Sequence, residues 1–223
     1  MKKPLIVLTG PTAAGKTHLS IALAKAVGGE IISADSMQVY RHMDIGSAKI
    51  RPEEMCGVPH YLIDVLDPSE EFHVVKFVEL AHEAMEKIYA AGQIPIVTGG
   101  TGFYIQALLK EVDFTESHGE LPIRKQLEEK AATEEGAAEL YRELSEVDPA
   151  SAETIHPNNV KRVIRALEYY HETGQKISEH NEEQKQKESP YCSAYFVLND
   201  ERSILYDRID RRVDQMIRDG LVD

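Results

Sequence analysis

The chain has 223 residues, 42% of them hydrophobic and 28% charged, with a formal net charge of −13 at pH 7. That size can bury a substantial core, as one large domain or one domain with an insertion, and the composition is that of an ordinary soluble globular protein. No apolar run approaches the length of a membrane span, and the run after Met1-Lys2-Lys3 is too short for a secretion signal, so a cytoplasmic protein with no membrane partner is expected. Cys56 and Cys192 stand far apart, in neither a CxxC nor a zinc pattern, which points to buried free thiols in a reducing compartment. The nine histidines lack metal-ligand spacing such as HExxH, leaving Mg2+ beside phosphate as the metal to expect.

The first element is an apolar strand at about 4–9. It feeds Gly10, Pro11, Thr12, Ala13, Ala14, Gly15, Lys16 and Thr17, which spell GxxxxGKT ahead of a helix at about 16–27. Strand, motif and helix together predict a phosphate-binding loop. Its glycines let successive N–H groups face one concavity, Lys16 supplies a cation, and the Thr17 hydroxyl suits Mg2+. The motif leaves open whose phosphates it holds.

A second short strand at 30–33 delivers Ala34-Asp35-Ser36-Met37-Gln38 to its C-terminal end, the end where open α/β sheets bind ligands. A helix at about 73–91 is marked by Val74, Phe77, Val78, Ala81, Met85 and Ile88 and ends at Gly92; a strand at 94–97 then runs into Thr98-Gly99-Gly100-Thr101-Gly102-Phe103-Tyr104. Repeated strand–turn–helix units predict an α/β fold, a parallel sheet flanked by helices. From about 115 the pattern becomes helical: 121–132, 137–145 and 160–173, the last ended by Gly174, with 178–189 read as a polar solvated stretch. Residues 191–198 return to strand composition, and 201–219 form an arginine-rich helix. The expected organisation is a catalytic α/β domain over 1–114 and 190–223, interrupted by an all-helical subdomain over 115–189.

Asp35, at a strand end near the phosphate loop, is placed to contact Mg2+ or to act as a general base, although an acid there also makes turns and caps. The glycine-rich 98–104 segment allows close backbone approach to a second substrate, and Thr98 and Thr101 add hydroxyls; without GxGxxG it is not a dinucleotide site. The acidic net charge argues against a nucleic-acid partner, yet 156–165 carries Lys161, Arg162 and Arg165 with no acid. Val160, Val163, Ile164 and Leu167 form that helix's buried stripe, and its cations make either a solvated face or a polyanion contact. Arg202 and Arg208 are candidate anion ligands, with salt bridges to Asp207 or Asp210 as the alternative.

Taken together, GPTAAGKT (10–17), ISADSMQVYRHMDIGSAK (32–49), PHYLIDVLDPSEEF (59–72), VTGGTGFYIQALL (97–109) and HPNNVKRVIRALE (156–168) closely resemble the tRNA dimethylallyltransferase (isopentenyltransferase) family, over essentially the whole chain. The resemblance implies a P-loop NTPase-like fold whose loop, with Arg208, cradles the diphosphate of dimethylallyl diphosphate with Mg2+ on Thr17. It implies that Asp35 takes the proton from the N6 amine of a flipped adenosine adjacent to the anticodon, with Thr101 and Lys16 as catalytic partners. The tRNA anticodon stem-loop would be held by Asp35, Ser36, Met37, Gln38, Thr101, Arg124, Asn158, Asn159, Val160, Lys161 and Arg162. It further implies a monomer and a C-terminal family region beyond Asp223. The alternative is a P-loop nucleotide or small-molecule kinase using ATP.

Overall fold

The computed structural model describes residues 2–112 and 122–222. Two compact units are formed by Met1–Val112 with Ser189–Asp223, and by Asp113–Glu188.

In the first unit β1 (Lys3–Thr9), α1 (Lys16–Val27), β2 (Gly29–Ser33), β3 (His60–Tyr61), α2 (Val74–Ala90), β4 (Ile94–Gly99) and α3 (Gly102–Lys110) follow in order. The second unit holds α4 (Pro122–Lys130), α5 (Glu134–Val147), α6 (Pro149–Thr154), α7 (Val160–Thr173) and α8 (Ile177–Gln186). β5 (Tyr191–Val197) and α9 (Arg202–Arg218) then complete the first unit.

The five strands form one parallel sheet in the order β3-β2-β4-β1-β5. Successive side chains of a strand point to opposite faces, so a parallel sheet covered on both sides needs apolar residues at nearly every position. The central strands meet that demand. Leu5, Val7, Ile32 and Val97 join Phe77, Ala81, Met85 and Ile88 of α2 and Ile105 and Leu108 of α3 in one core. Their neighbours Ile31 and Ile96 pack with Ala24 of α1 in another.

Three adjacent strands end along one edge. Gly10 follows β1, Asp35 lies two residues past β2, and Thr101 two residues past β4. Close backbone approach draws these ends together. A Cβ on Gly99 would overlap the Ala34 carbonyl, and one on Gly10, whose φ is 146°, would overlap the Leu198 carbonyl. Gly99, read from sequence as room for a ligand, therefore makes room for the backbone that leads into Asp35; Gly102 has open space beside it.

The helical unit is built around Leu127, Leu140, Leu144, Val163, Ile164 and Leu167. Buried Asp148 caps α6 by accepting from Ser151 N at 3.1 Å and Oγ at 2.6 Å, and also accepts from Ser178 N at 3.0 Å and Oγ at 2.6 Å. The carboxylate thereby ties two helix starts together.

Three expectations need correction. Much of 178–189 is helical, though as solvated as expected: α8 is anchored at Ser178, most of its residues are exposed, and Gln184 is its one buried residue. The short α6 and the two-residue β3 were too brief to leave a periodic signature. Cys56 and Cys192 are exposed free thiols rather than buried ones; Cys192 sits on β5 at the sheet edge, and Cys56 in a turn with φ 51°.

Candidate active site

Residues 10–15 wrap into a concavity through the positive φ angles of Gly10 (146°), Ala13 (64°) and Gly15 (85°). α1 then begins at Lys16 with no side-chain cap, leaving its first N–H groups and positive dipole end available to an anion. Lys16 Nζ donates to the Gly10 carbonyl at 2.8 Å and the Pro11 carbonyl at 2.7 Å, folding its ammonium over the loop. Burial lowers the Lys16 pKa, nearby Asp35 opposes that shift, and Arg212 reinforces it. Phosphate oxygens arriving at this cradle would meet a cation already partly stripped of water, where charge interactions are strong.

Arg208 reaches the same loop. Its guanidinium donates to the Ala13 carbonyl at 3.3 Å and pairs with Asp200 at 3.0 Å. Arg211, not Arg208, takes Asp207 as its partner, at 2.8 Å.

Asp35 is half-buried, and its Oδ1 accepts from Met37 N at 2.9 Å and Gln38 N at 3.3 Å. This turn-forming role was the bland alternative for Asp35, and it coexists with the position beside Lys16 and Arg212. Two backbone donors fix the carboxylate's orientation. Gln38 then donates its side-chain amide to the Ser47 and Ala48 carbonyls at 3.4 and 3.2 Å, closing 36–48 into a loop. Ser36 is half-buried and Met37 is 43% exposed on its rim.

Thr101 stands at the start of α3 without a side-chain cap bond, and its N–H donates to the Ala34 carbonyl at 3.4 Å. That bond ties the start of α3 to the strand end that carries Asp35. The buried Thr98 hydroxyl has no hydrogen-bond partner among the described residues.

Arg212 is a residue that sequence reasoning missed. Half-buried on α9, it donates to the Ser47 carbonyl at 3.2 Å and is close enough to Lys16 to help lower its pKa, while the charge of Asp35 acts on Arg212 in turn. Burial disfavours its charged form and Asp35 offsets that cost. The available signal was its spacing of four from Arg208, which puts both cations on one helix face.

Among the described residues no group of three or more His, Cys, Asp or Glu side chains could hold a metal ion. The exposed Thr17 side chain opening α1 fits instead a Mg2+ that draws most of its oxygens from a diphosphate and water.

In the helical unit, Asn158, Asn159, Lys161 and Arg162 are exposed around the start of α7, whereas Val160 between them is partly buried against that unit's core. Arg124 pairs with Glu128 at 3.1 Å and with the fully buried Glu168 at 3.5 Å; Arg165 pairs with Glu168 at 2.8 Å.

The family model described as IPP transferase matches residues 38–223. A tRNA dimethylallyltransferase of Lachnoclostridium phytofermentans is 64% identical over 220 residues, covering 99% of this chain and 70% of that protein. Another, of Geobacillus thermodenitrificans, is 51% identical over 223 residues, covering all of this chain and 70% of the relative. Among solved structures, a eukaryotic dimethylallyltransferase acting on tRNA superposes with a TM-score of 0.85 at 39% identity. That match covers 98% of this chain but 54% of the eukaryotic one, so the chain spans about half of that enzyme's length. The full-length tRNA isopentenylpyrophosphate transferase of Bacillus halodurans gives a TM-score of 0.67 at 46% identity, covering all of this chain and 68% of that one. The chain belongs to the IPP transferase family.

Proposed function

We propose that this protein transfers the dimethylallyl group of dimethylallyl diphosphate to the N6 amine of the adenosine 3′-adjacent to the anticodon in tRNA, releasing diphosphate. The observation that carries this reading is the convergence of a phosphate cradle, Asp35 and Thr101 at the ends of three neighbouring strands. The relatives' names supply tRNA as the acceptor and dimethylallyl as the group transferred.

In the reaction, N6 attacks the prenyl carbon that bears the diphosphate, the C–O bond breaks, and its electron pair departs with the leaving group. An exocyclic arylamine is a weak nucleophile, so stabilising the departing charge matters most. Lys16, Arg208, the loop N–H groups and the start of α1 are gathered around that position. Mg2+ on Thr17 and the diphosphate would neutralise further charge. Asp35 accepts the N6 proton, its carboxylate oriented by Met37 N and Gln38 N. Thr101 orients the base or Asp35.

Reaching an adenine inside the anticodon loop requires extruding it, at a cost of about a few kcal/mol. Ser36, Met37 and Gln38 would contact the flipped nucleotide, and Asn158, Asn159, Lys161 and Arg162 the tRNA backbone. Arg124, partly exposed and engaged with Glu128 and Glu168, would offer its remaining N–H groups. The reading places the protein in the cytoplasm as a monomer. No helix among the described residues is long and apolar enough to cross a membrane.

Incubation with unmodified tRNA and radiolabelled dimethylallyl diphosphate, without ATP, tests the reading. Label should enter the tRNA and require Mg2+; its absence sinks the proposal. Family membership does not favour the kinase alternative, which would need ATP and a small alcohol as substrates.

A further inference from the structure

The loop that bears Asp35 is irregular from 36 to 50, and irregular backbone must be fixed by something other than a ladder of its own. Lys49 fixes it. Its side chain is 4% exposed, and its Nζ donates to the Tyr40 carbonyl at 2.7 Å, Asp44 Oδ1 at 2.6 Å and Asp64 Oδ1 at 2.5 Å. An ammonium has three N–H donors, and each has an acceptor here. The three acceptors lie on two chain segments, since Tyr40 and Asp44 belong to the Asp35 loop while Asp64 belongs to the connection after β3.

Both segments hold backbone that L-residues rarely adopt. His42 (φ 66°) and Ala48 (φ 45°) lie on one side, Leu62 (φ 62°) and Asp64 (φ 56°) on the other. Such residues persist where the surroundings over-determine them, and they concentrate at functional sites. Further ties run alongside. Arg41 donates to the Asp64 and Val65 carbonyls at 3.1 and 3.2 Å, and Tyr40 bridges to Leu66. The loop also divides two clefts, one of about 370 Å³ lined by Lys49, Arg212 and Met216, the other of about 530 Å³ lined by Met37, Met43 and Leu221. Asp44 and Ile45 line both.

From this geometry we infer that Lys49 is a positioning residue for the transfer reaction: it clamps residues 36–48 so that Asp35 and Gln38 face the phosphate cradle. The chain of contact is short. Lys49 holds Tyr40 and Asp44, Gln38 holds Ser47 and Ala48, Arg212 holds Ser47, and the same turn supplies both N–H groups to Asp35. Lys49 touches no reacting atom in this scheme. Its effect falls on the transfer rate rather than on the diphosphate, because the 10–17 loop is shaped by its own bonds. The inference rests on the proposed prenyl transfer for its kinetic consequence, but not for its structural one.

Lys49→Met in the full chain tests it. Removing the ammonium leaves Asp44 and Asp64 facing each other without a cation, and the loop should open. The Met37 and Gln38 amides should exchange with deuterium about tenfold faster or more, reporting local opening. Single-turnover transfer to unmodified tRNA should fall by about 10- to 100-fold, as misplacing a reacting group does. Dimethylallyl diphosphate affinity, read by calorimetry, should stay within about twofold, since separate sites act additively. A lysine needed only for stability would lower affinity and rate together. Unchanged amide exchange and an unchanged transfer rate in the folded variant would overturn the inference. Should Lys49→Met not fold, Asp44→Ala cuts one arm at an exposed carboxylate, and the same split between rate and affinity is expected at smaller size; its absence overturns the inference equally. If the parent protein transfers no prenyl group, the proposed function fails while amide exchange still decides whether Lys49 is the clamp.

Discussion

The two units handle positive charge in opposite ways. In the α/β unit Lys16, Lys49, Arg208 and Arg212 are turned onto backbone carbonyls and carboxylates, so each cation is held in place. The helical unit instead uses Arg124 and Arg165 to neutralise buried Glu168 and leaves Lys161 and Arg162 exposed at the start of α7. Held cations suit a small diphosphate whose position must be exact to a fraction of an ångström; solvated ones suit a long polyanion that binds through counterion release. Net charge misses this division, because −13 is a sum over both.

If the division is real, substitutions should separate chemistry from grip. The largest effect is expected at Asp35: Asp35→Ala should reduce turnover by about 10²–10⁴-fold while tRNA affinity changes little. Asp35→Asn keeps an oxygen to accept from Met37 N and Gln38 N but cannot take the proton, so it should be nearly as slow with its loop intact. Equal rates for either variant and the parent would remove Asp35 from the mechanism.

Next comes the ion cluster of the helical unit. Glu168→Gln leaves two guanidiniums without their buried partner and should cost about 3 kcal/mol, the low end for a broken buried pair because both arginines are about one-third exposed. Chemical denaturation measures this; a loss below about 1 kcal/mol would mean the cluster is as weak as a surface pair.

Acid offers a third separation. Burial pushes the Asp148 carboxyl up, but its hydrogen bonds from Ser151 and Ser178 outweigh that and hold it below the ordinary aspartate range. Its contribution to stability is therefore complete above the unfolded-state value of about 3.9, and fades as pH falls through the lowered native value. Circular dichroism during acid titration should show the helical unit's acid limb flattened by Asp148→Asn. An identical limb would mean other carboxylates govern it.

The smallest effect is predicted for Arg162→Ala. It should weaken tRNA binding by less than about tenfold and reduce the slope of log affinity against log salt by about one, with turnover at saturating tRNA unchanged. A steady slope would take Arg162 off the tRNA backbone.

Much of this arrangement was legible from the chain. GxxxxGKT after an apolar strand located the cradle, short apolar runs located the central strands, and apolar residues at helical spacing located α2 and α7. Arg208 was found for its charge and lies at the cradle. What stayed hidden depended on contacts between residues distant in sequence. Arg212 meets Ser47 across 165 positions, and Lys49 meets Asp64 across 15. α8 looked like a polar linker because its anchor is the carboxylate of Asp148, 30 residues earlier than Ser178. The exposure of Cys192 follows from β5 being an edge strand, a matter of sheet order that residue type alone does not encode.

That sheet order also bears on how the protein is made. β5 pairs along the full length of β1, from Lys3 with Tyr191 to Thr9 with Val197, so one side of β1 has no partner until the residues between them, the helical unit included, have been translated. The helical unit, whose contacts are local by comparison, can fold while that side waits. Synthesis thus leaves the strand that feeds the phosphate loop half-paired while those residues are made, a window in which a chaperone, or premature pairing with another nascent chain, would find it open.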